Sequence, residues 1–105
     1  MSKQHDNLAD IHADSELIAA QFKVLLLTPF SAKNVASSRI LAACIRLSSL
    51  EQNLEYTGAY LKRRIEMDGD LLELVPRALV EGSSFIALAQ YAIRACKHSR
   101  IPLSP

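Results

Sequence analysis

The chain is 105 residues long, half of them hydrophobic, and twelve Lys and Arg against eleven Asp and Glu leave a formal net charge of +1. That length holds one domain, and that charge balance lacks the basic face that general nucleic-acid binding requires. Leu and Ala abound while Val, Thr and Gly are few, which favours helices over strands and predicts an all-α fold.

In chain order, residues 1–8 read as a flexible N-terminal tail. A first helix is expected from near Asp10 to Leu27, where Ile11, Ile18, Phe22 and Leu25 recur at helical spacing. Its closing run, FKVLLL, is also compatible with a strand. Pro29 turns Thr28 away from helical geometry, and Ser31 or Asn34 stands ready to cap the next helix. From about Ala32 to Met67 no proline interrupts the chain. Ile40, Cys44, Leu47, Leu54, Gly58, Leu61 and Ile65 follow the 3–4 spacing of a packing seam. One helix of roughly 50 Å would fit at 1.5 Å per residue. Ser48 with Glu51 matches a capping box, and Thr57-Gly58 is a possible turn, so two helices or one bent helix dividing near Ser48 are favoured.

The DGD at residues 68–70 is the clearest punctuation, with Gly69 suited to the left-handed conformation that closes a helix and Asp70 and Glu73 forming a second capping box. Pro76 comes too soon for a long helix from Asp70, so LLELV and PRALVE read as two short turns, stopped at Gly82. Ser83 or Ser84 caps a last helix reaching about His98, with a C-terminal tail at residues 100–105. Together these segments predict a compact all-α bundle of about four to five helices with a long or bent central helix, the domain occupying residues 9–99.

The last helix, SSFIALAQYAIRAC, sets the functional question. Phe85, Leu88, Ala89, Ala92 and Cys96 make one apolar stripe, while Ile86 and Ile93 form another turned well away from it, with Tyr91 outside the first. A helix apolar nearly all round is expected to be buried. A chain this short buries only about two-thirds of its unfolded surface, so a second copy or a partner protein is the favoured cover, ahead of the helix being wrapped by its own chain. Leu47, Leu50, Leu54, Phe85, Ile86, Leu88, Tyr91 and Ile93 are the candidate protein-interface residues, some of which must belong to the monomer core.

Chemistry finds less support. His5, Asp6, Asp10 and Asp14 fix no coordination geometry and read as a solvated tail rather than a metal site. His12 and Glu16 read as a weak surface pair, and His98 as a dipole partner at a helix C-terminus. Cys44 and Cys96 read as small buried hydrophobes before a disulfide. No Gly-rich phosphate loop or nucleophile–base pairing is visible. A non-enzymatic protein without catalytic residues, metal or cofactor is therefore expected. LEYTGAYLKRRIE, residues 54–66, superficially resembles a helix-turn-helix in which Tyr60, Lys62, Arg63 and Arg64 would face DNA. Glu66, Asp68 and Asp70 follow at once, so a charge-paired solvated face is favoured, ahead of a patch for an acidic partner and then direct DNA contact.

In size, all-helical character and self-association pattern, SSFIALAQYAIRAC and RILAACIRLSSLEQNLEYTGAYLKRRIE resemble the small bacterial antiactivators that sequester LuxR-type quorum-sensing transcription factors. The resemblance is one of architecture over the whole chain and implies a helical dimer that binds the activator and prevents DNA binding. No residue role is carried over, because no shared motif anchors one. The expected function is thus that of a homodimeric regulator binding another protein, possible targets including a LuxR-type factor. A DNA-binding regulator using residues 57–66 and a helical secretion chaperone or toxin-neutralising partner are the alternatives. The first fourteen residues, MSKQHDNLADIHAD, are unlike a signal or transit peptide, and the apolar runs fall far short of the roughly 20 residues that span a bilayer. A cytoplasmic location away from membranes is expected.

Overall fold

Six helices account for the residues described by the computed structural model, which are 2–29, 36–82 and 84–98, with side chains from Leu8 onward. They are α1 (Ser2–Leu27), α2 (Ser38–Ser48), α3 (Glu51–Glu66), α4 (Gly69–Leu74), α5 (Arg77–Glu81) and α6 (Phe85–Lys97). The all-helical class matches the sequence pattern, and no strand forms among the described residues. FKVLLL completes α1 as helix, and α1 begins at Ser2, inside the stretch read as a tail. The expected C-terminal tail at residues 100–105 and the capping candidates Ser31, Asn34 and Ser83 lie outside the described residues.

The six helices are roughly consistent with the expected bundle of four to five, and two breaks divide the middle of the chain. The predicted central helix divides between Ser48 and Glu51, but not through a capping box. Leu50 holds the extended N-cap position of α3 with no side-chain bond. Instead, Ser49 Oγ and Asn53 Nδ2 donate to the Arg46 carbonyl at 2.7 and 3.2 Å, joining the Ser49 N–H at 3.3 Å on an acceptor in the last turn of α2. The second break is at Pro76, which ends α4 and sits at the start of α5.

Two capping expectations are corrected. Gly69 does not close α3; it opens α4, and none of the described glycines takes a left-handed backbone. The cap is Asp68, whose Oδ1 accepts from the backbone N–H of Asp70 at 3.0 Å and of Leu71 at 3.4 Å. Ser37 caps α2 through the Ile40 N–H, and Ser84 caps α6 through the Ala87 N–H.

α6 is the central element. It packs most extensively on α3 and also meets α1, α2 and α5. One contiguous apolar cluster joins Ile18, Phe22 and Leu25 of α1 to Cys44 and Leu47 of α2, Leu61 and Ile65 of α3, and Leu88 and Ala92 of α6. Gly58 lets α3 and α6 approach closely, since a Cβ at that position would overlap the Phe85 carbonyl and lie 2.7 Å from its Cα. The molecule measures 51 × 31 × 18 Å. Its short dimension accommodates about two helix layers at the usual 8–10 Å spacing, so the outer helices turn a flank to solvent.

Candidate interaction surfaces

Four of the eight interface candidates are core residues: Leu47, Leu54, Leu88 and Ile93 are buried by neighbouring helices. These four are corrected as contact candidates, because α3 covers one flank of α6 while α1 and α2 cover the other. The two apolar stripes of SSFIALAQYAIRAC are thereby largely hidden by the chain itself rather than by a second copy. Ile86 is half-buried against the core. Leu50, Phe85 and Tyr91 remain exposed, and Tyr91 leans edge-on against Phe22 with centroids 5.9 Å apart.

An exposed, mostly apolar face lies elsewhere, on α1. Its rotation is fixed by polar contacts on both flanks. Towards α2, Asp14 takes two bonds from Arg46, Nε to Oδ2 at 2.8 Å and Nη2 to Oδ1 at 2.9 Å. That bonding holds the Arg46 guanidinium above its ordinary value. Towards α3, the His12 ring lies 2.6 Å from the Tyr56 hydroxyl, makes edge contacts with Tyr56 and Tyr60, and has Glu16 3.6 Å from its other nitrogen. Ser15 and Thr57 hydroxyls meet at 2.9 Å in the core. Thr57 spends its single proton on the Asn53 carbonyl, so Ser15 is the donor between them. Further along, Lys23 Nζ donates to Asp68 at 2.6 Å, drawing that carboxyl below its ordinary value.

With those flanks set and Ile18, Phe22 and Leu25 turned inward, Ala9, Ala13, Ala20, Val24 and Leu27 face solvent on the opposite side. At about 100° per residue they fall within roughly 60° of one another. Glu16 is the polar residue of the row, and half-buried Leu17 borders it. This face recurs at 3–4 spacing half a turn from the core stripe. Three of its five apolar members are alanines, which give little contrast in the sequence pattern. The bonds fixing its direction join residues more than thirty positions apart.

The basic cluster sits on one continuous helix rather than on the second helix of a helix-turn-helix. α3 runs unbroken through Thr57 and Gly58, so the turn of the expected helix-turn-helix is not formed. Consecutive helical residues diverge by about 100°. Lys62 lines a groove of 390 Å³ with Glu55, Ser84, Phe85 and Ile86. Arg64 turns back over Tyr60, its guanidinium carbon 5.8 Å from the ring centroid and Nη1 3.3 Å from the hydroxyl. Arg63 points outward. A second groove, of 220 Å³, lies between α2 and α6 and is lined by Ser48, Gln90, Ile93, Arg94, Lys97 and His98.

Cys44 and Cys96 are buried free thiols donating to the Ile93 and Ile18 carbonyls. Burial pushes both thiols up, that of Cys96 to about 12, so each is held as an unreactive thiol near neutrality. The described residues bring together no group of three or more His, Cys, Asp or Glu suited to a metal ion. No helix among them is long and apolar enough to cross a membrane. Comparison with family models, curated proteins and solved structures gives no match.

Proposed function

We propose that the chain is a non-enzymatic regulator that works by binding protein, and that it self-associates through the outer face of α1. One observation carries this reading: a helix face of Ala9, Ala13, Ala20, Val24 and Leu27 is turned to solvent and held there by ion pairs and hydrogen bonds on both flanks. Alanines let two helix backbones approach closely, and Val24 and Leu27 supply apolar area. In an antiparallel pair with its two-fold axis at Ala20, Ala13 of one copy lies opposite Leu27 of the other, small against large. Glu16 then comes beside the second copy's Lys23, whose tip Asp68 already holds.

In that arrangement the two faces overlap from Ala13 to Leu27, a length of about 21 Å. Two such helices cover on the order of 300 Å² per partner, under half of the ~800 Å² of a standard interface. The expected dimer is therefore concentration-dependent, dissociating in the micromolar range or weaker. Sequestration of a transcription factor, in the manner of the LuxR-type antiactivators, is the finer form of this proposal. It is supported by likeness of size and helical character.

Sedimentation velocity across a concentration series tests the self-association. The wild type should shift from one subunit to two, and Ala20→Glu should remain a single subunit with an unchanged circular-dichroism spectrum. A wild type that stays a single subunit at every concentration removes the α1 proposal.

A further inference from the structure

The groove between α2 and α6 has a character of its own. Arg94, Lys97 and His98 line it with Ser48 and Gln90 over an apolar floor of Ile93, and no acidic side chain takes part. Elsewhere four cations are engaged, Lys23 by Asp68, Arg46 by Asp14, Arg77 by Glu81 and Arg64 by Tyr60, while Arg39, Lys62 and Arg63 stand singly on other surfaces. Among the described residues no carboxylate pairs with Arg94 or Lys97. Beside the groove, α2 raises an apolar ridge. Leu41 and Ile45 lie seven and three positions before Ser48 and so share its side of the helix; Ile45 is 69% exposed. The negative end of the α6 dipole favours cations in its last turn. It does not explain two aliphatic side chains held in water on the neighbouring helix.

We infer that this ridge and groove form a docking face for an acidic amphipathic helix of a partner protein. Charge complementarity and spacing select that occupant. Leu41 and Ile45, one turn apart, meet an apolar pair one turn apart on the incoming helix. Carboxylates beside that pair then reach Arg94 and Lys97 at the groove. A nucleic-acid backbone is the less fitting anion, because two fixed cations and a chain charge of +1 offer little counterion release. The inference rests on the protein-binding reading, but not on self-association through α1, whose contact face is built from different residues.

The test uses the full chain and a fluorescently labelled synthetic helix of about 16 residues, long enough to hold helical structure on binding. It carries Leu at 3–4 spacing flanked by Glu. A matched helix with Lys for Glu and a short DNA duplex serve as competitors. Anisotropy titrations at about 50 mM and about 300 mM salt bracket the screening range. The acidic helix should bind and weaken as salt rises. Its affinity should fall about tenfold or more in the double variant Arg94→Glu/Lys97→Glu and in Ile45→Asp, while Arg63→Glu stays within about twofold. The altered residues are exposed, so the variants should fold as the wild type does by circular dichroism, the double variant melting somewhat lower because it sets two carboxylates at the negative end of the α6 dipole.

Equal affinity in the wild type and both groove variants, absence of binding, or preference for the duplex would each overturn the docking face. Sedimentation of the same samples separates the two ideas. Lost peptide binding with self-association intact in the groove variants supports both surfaces. A wild type that dimerises without binding the peptide overturns the docking face alone; one that binds it as a permanent monomer overturns the α1 interface alone.

Discussion

Gly58→Ala inverts the usual rule for glycine in a helix. In an open helical position the change gains about 1 kcal/mol of intrinsic propensity. Here the new methyl would overlap the Phe85 carbonyl group and sit 2.7 Å from Phe85 Cα, where ordinary contact begins near 3.4 Å. The obstructing atoms are backbone, so no rotamer change relieves them, and α3 and α6 must separate by on the order of 1 Å in an interior packed at crystal-like density. Overpacking of this kind costs about 1–3 kcal/mol. With no side-chain escape the upper end applies, leaving a net loss of about 2 kcal/mol. For a domain of this size that lowers Tm by roughly 10 °C. Thermal and urea melts followed by circular dichroism measure it, with Gly69→Ala as the control because no atom lies within 4 Å of a Cβ there. A Gly58→Ala protein as stable as the wild type, or more stable, would refute the close α3–α6 approach.

Asp14→Ala strips Arg46 of both carboxylate bonds. Because Arg46 is half exposed and regains water, the expected loss is about 1–2 kcal/mol in urea denaturation. Lys23→Met should change the acid limb of stability. The Asp68 carboxyl is depressed in the folded state, so its pairing stabilises above the unfolded value of about 3.9 and is lost as pH falls through the folded one. The variant should lose less stability than the wild type between about pH 5 and pH 2. For the cysteines the sign reverses, because thiols raised by burial stabilise below their unfolded value. Stability should decline as pH climbs from about 9 towards the folded value near 12 of Cys96. At neutral pH a thiol reagent should label Cys44 and Cys96 only after denaturant is added; rapid labelling of the native protein would contradict their burial.

The fold class was readable because Leu and Ala recur at helical spacing and Pro29, Pro76 and Gly82 mark real ends. The break after Ser48 was also visible as a position, although its chemistry was not. Ser49 and Asn53 satisfy the Arg46 carbonyl, a role that the local Ser48–Glu51 pattern disguised. The interface residues were the weakest part of the reading. Periodicity shows that a helix has two apolar stripes, but not which neighbour covers each. Leu88 and Ile93 both found cover inside one chain because α6 packs against α3, closely at Gly58, and also against α1 and α2. The α1 face became readable only with the direction set by Asp14–Arg46, Ser15–Thr57 and Lys23–Asp68, contacts between residues distant in sequence.

Symmetric cross-linking at the centre of α1 tests the self-association most directly. With Cys44 and Cys96 buried as thiols, a single exposed cysteine introduced as Ala20→Cys sits on the proposed two-fold axis and should form a disulfide-linked dimer under mild oxidation. Arg63→Cys, on the outer side of α3, should remain monomeric under the same conditions. Cross-linking of Ala20→Cys no faster than of Arg63→Cys would contradict a dimer built on this face.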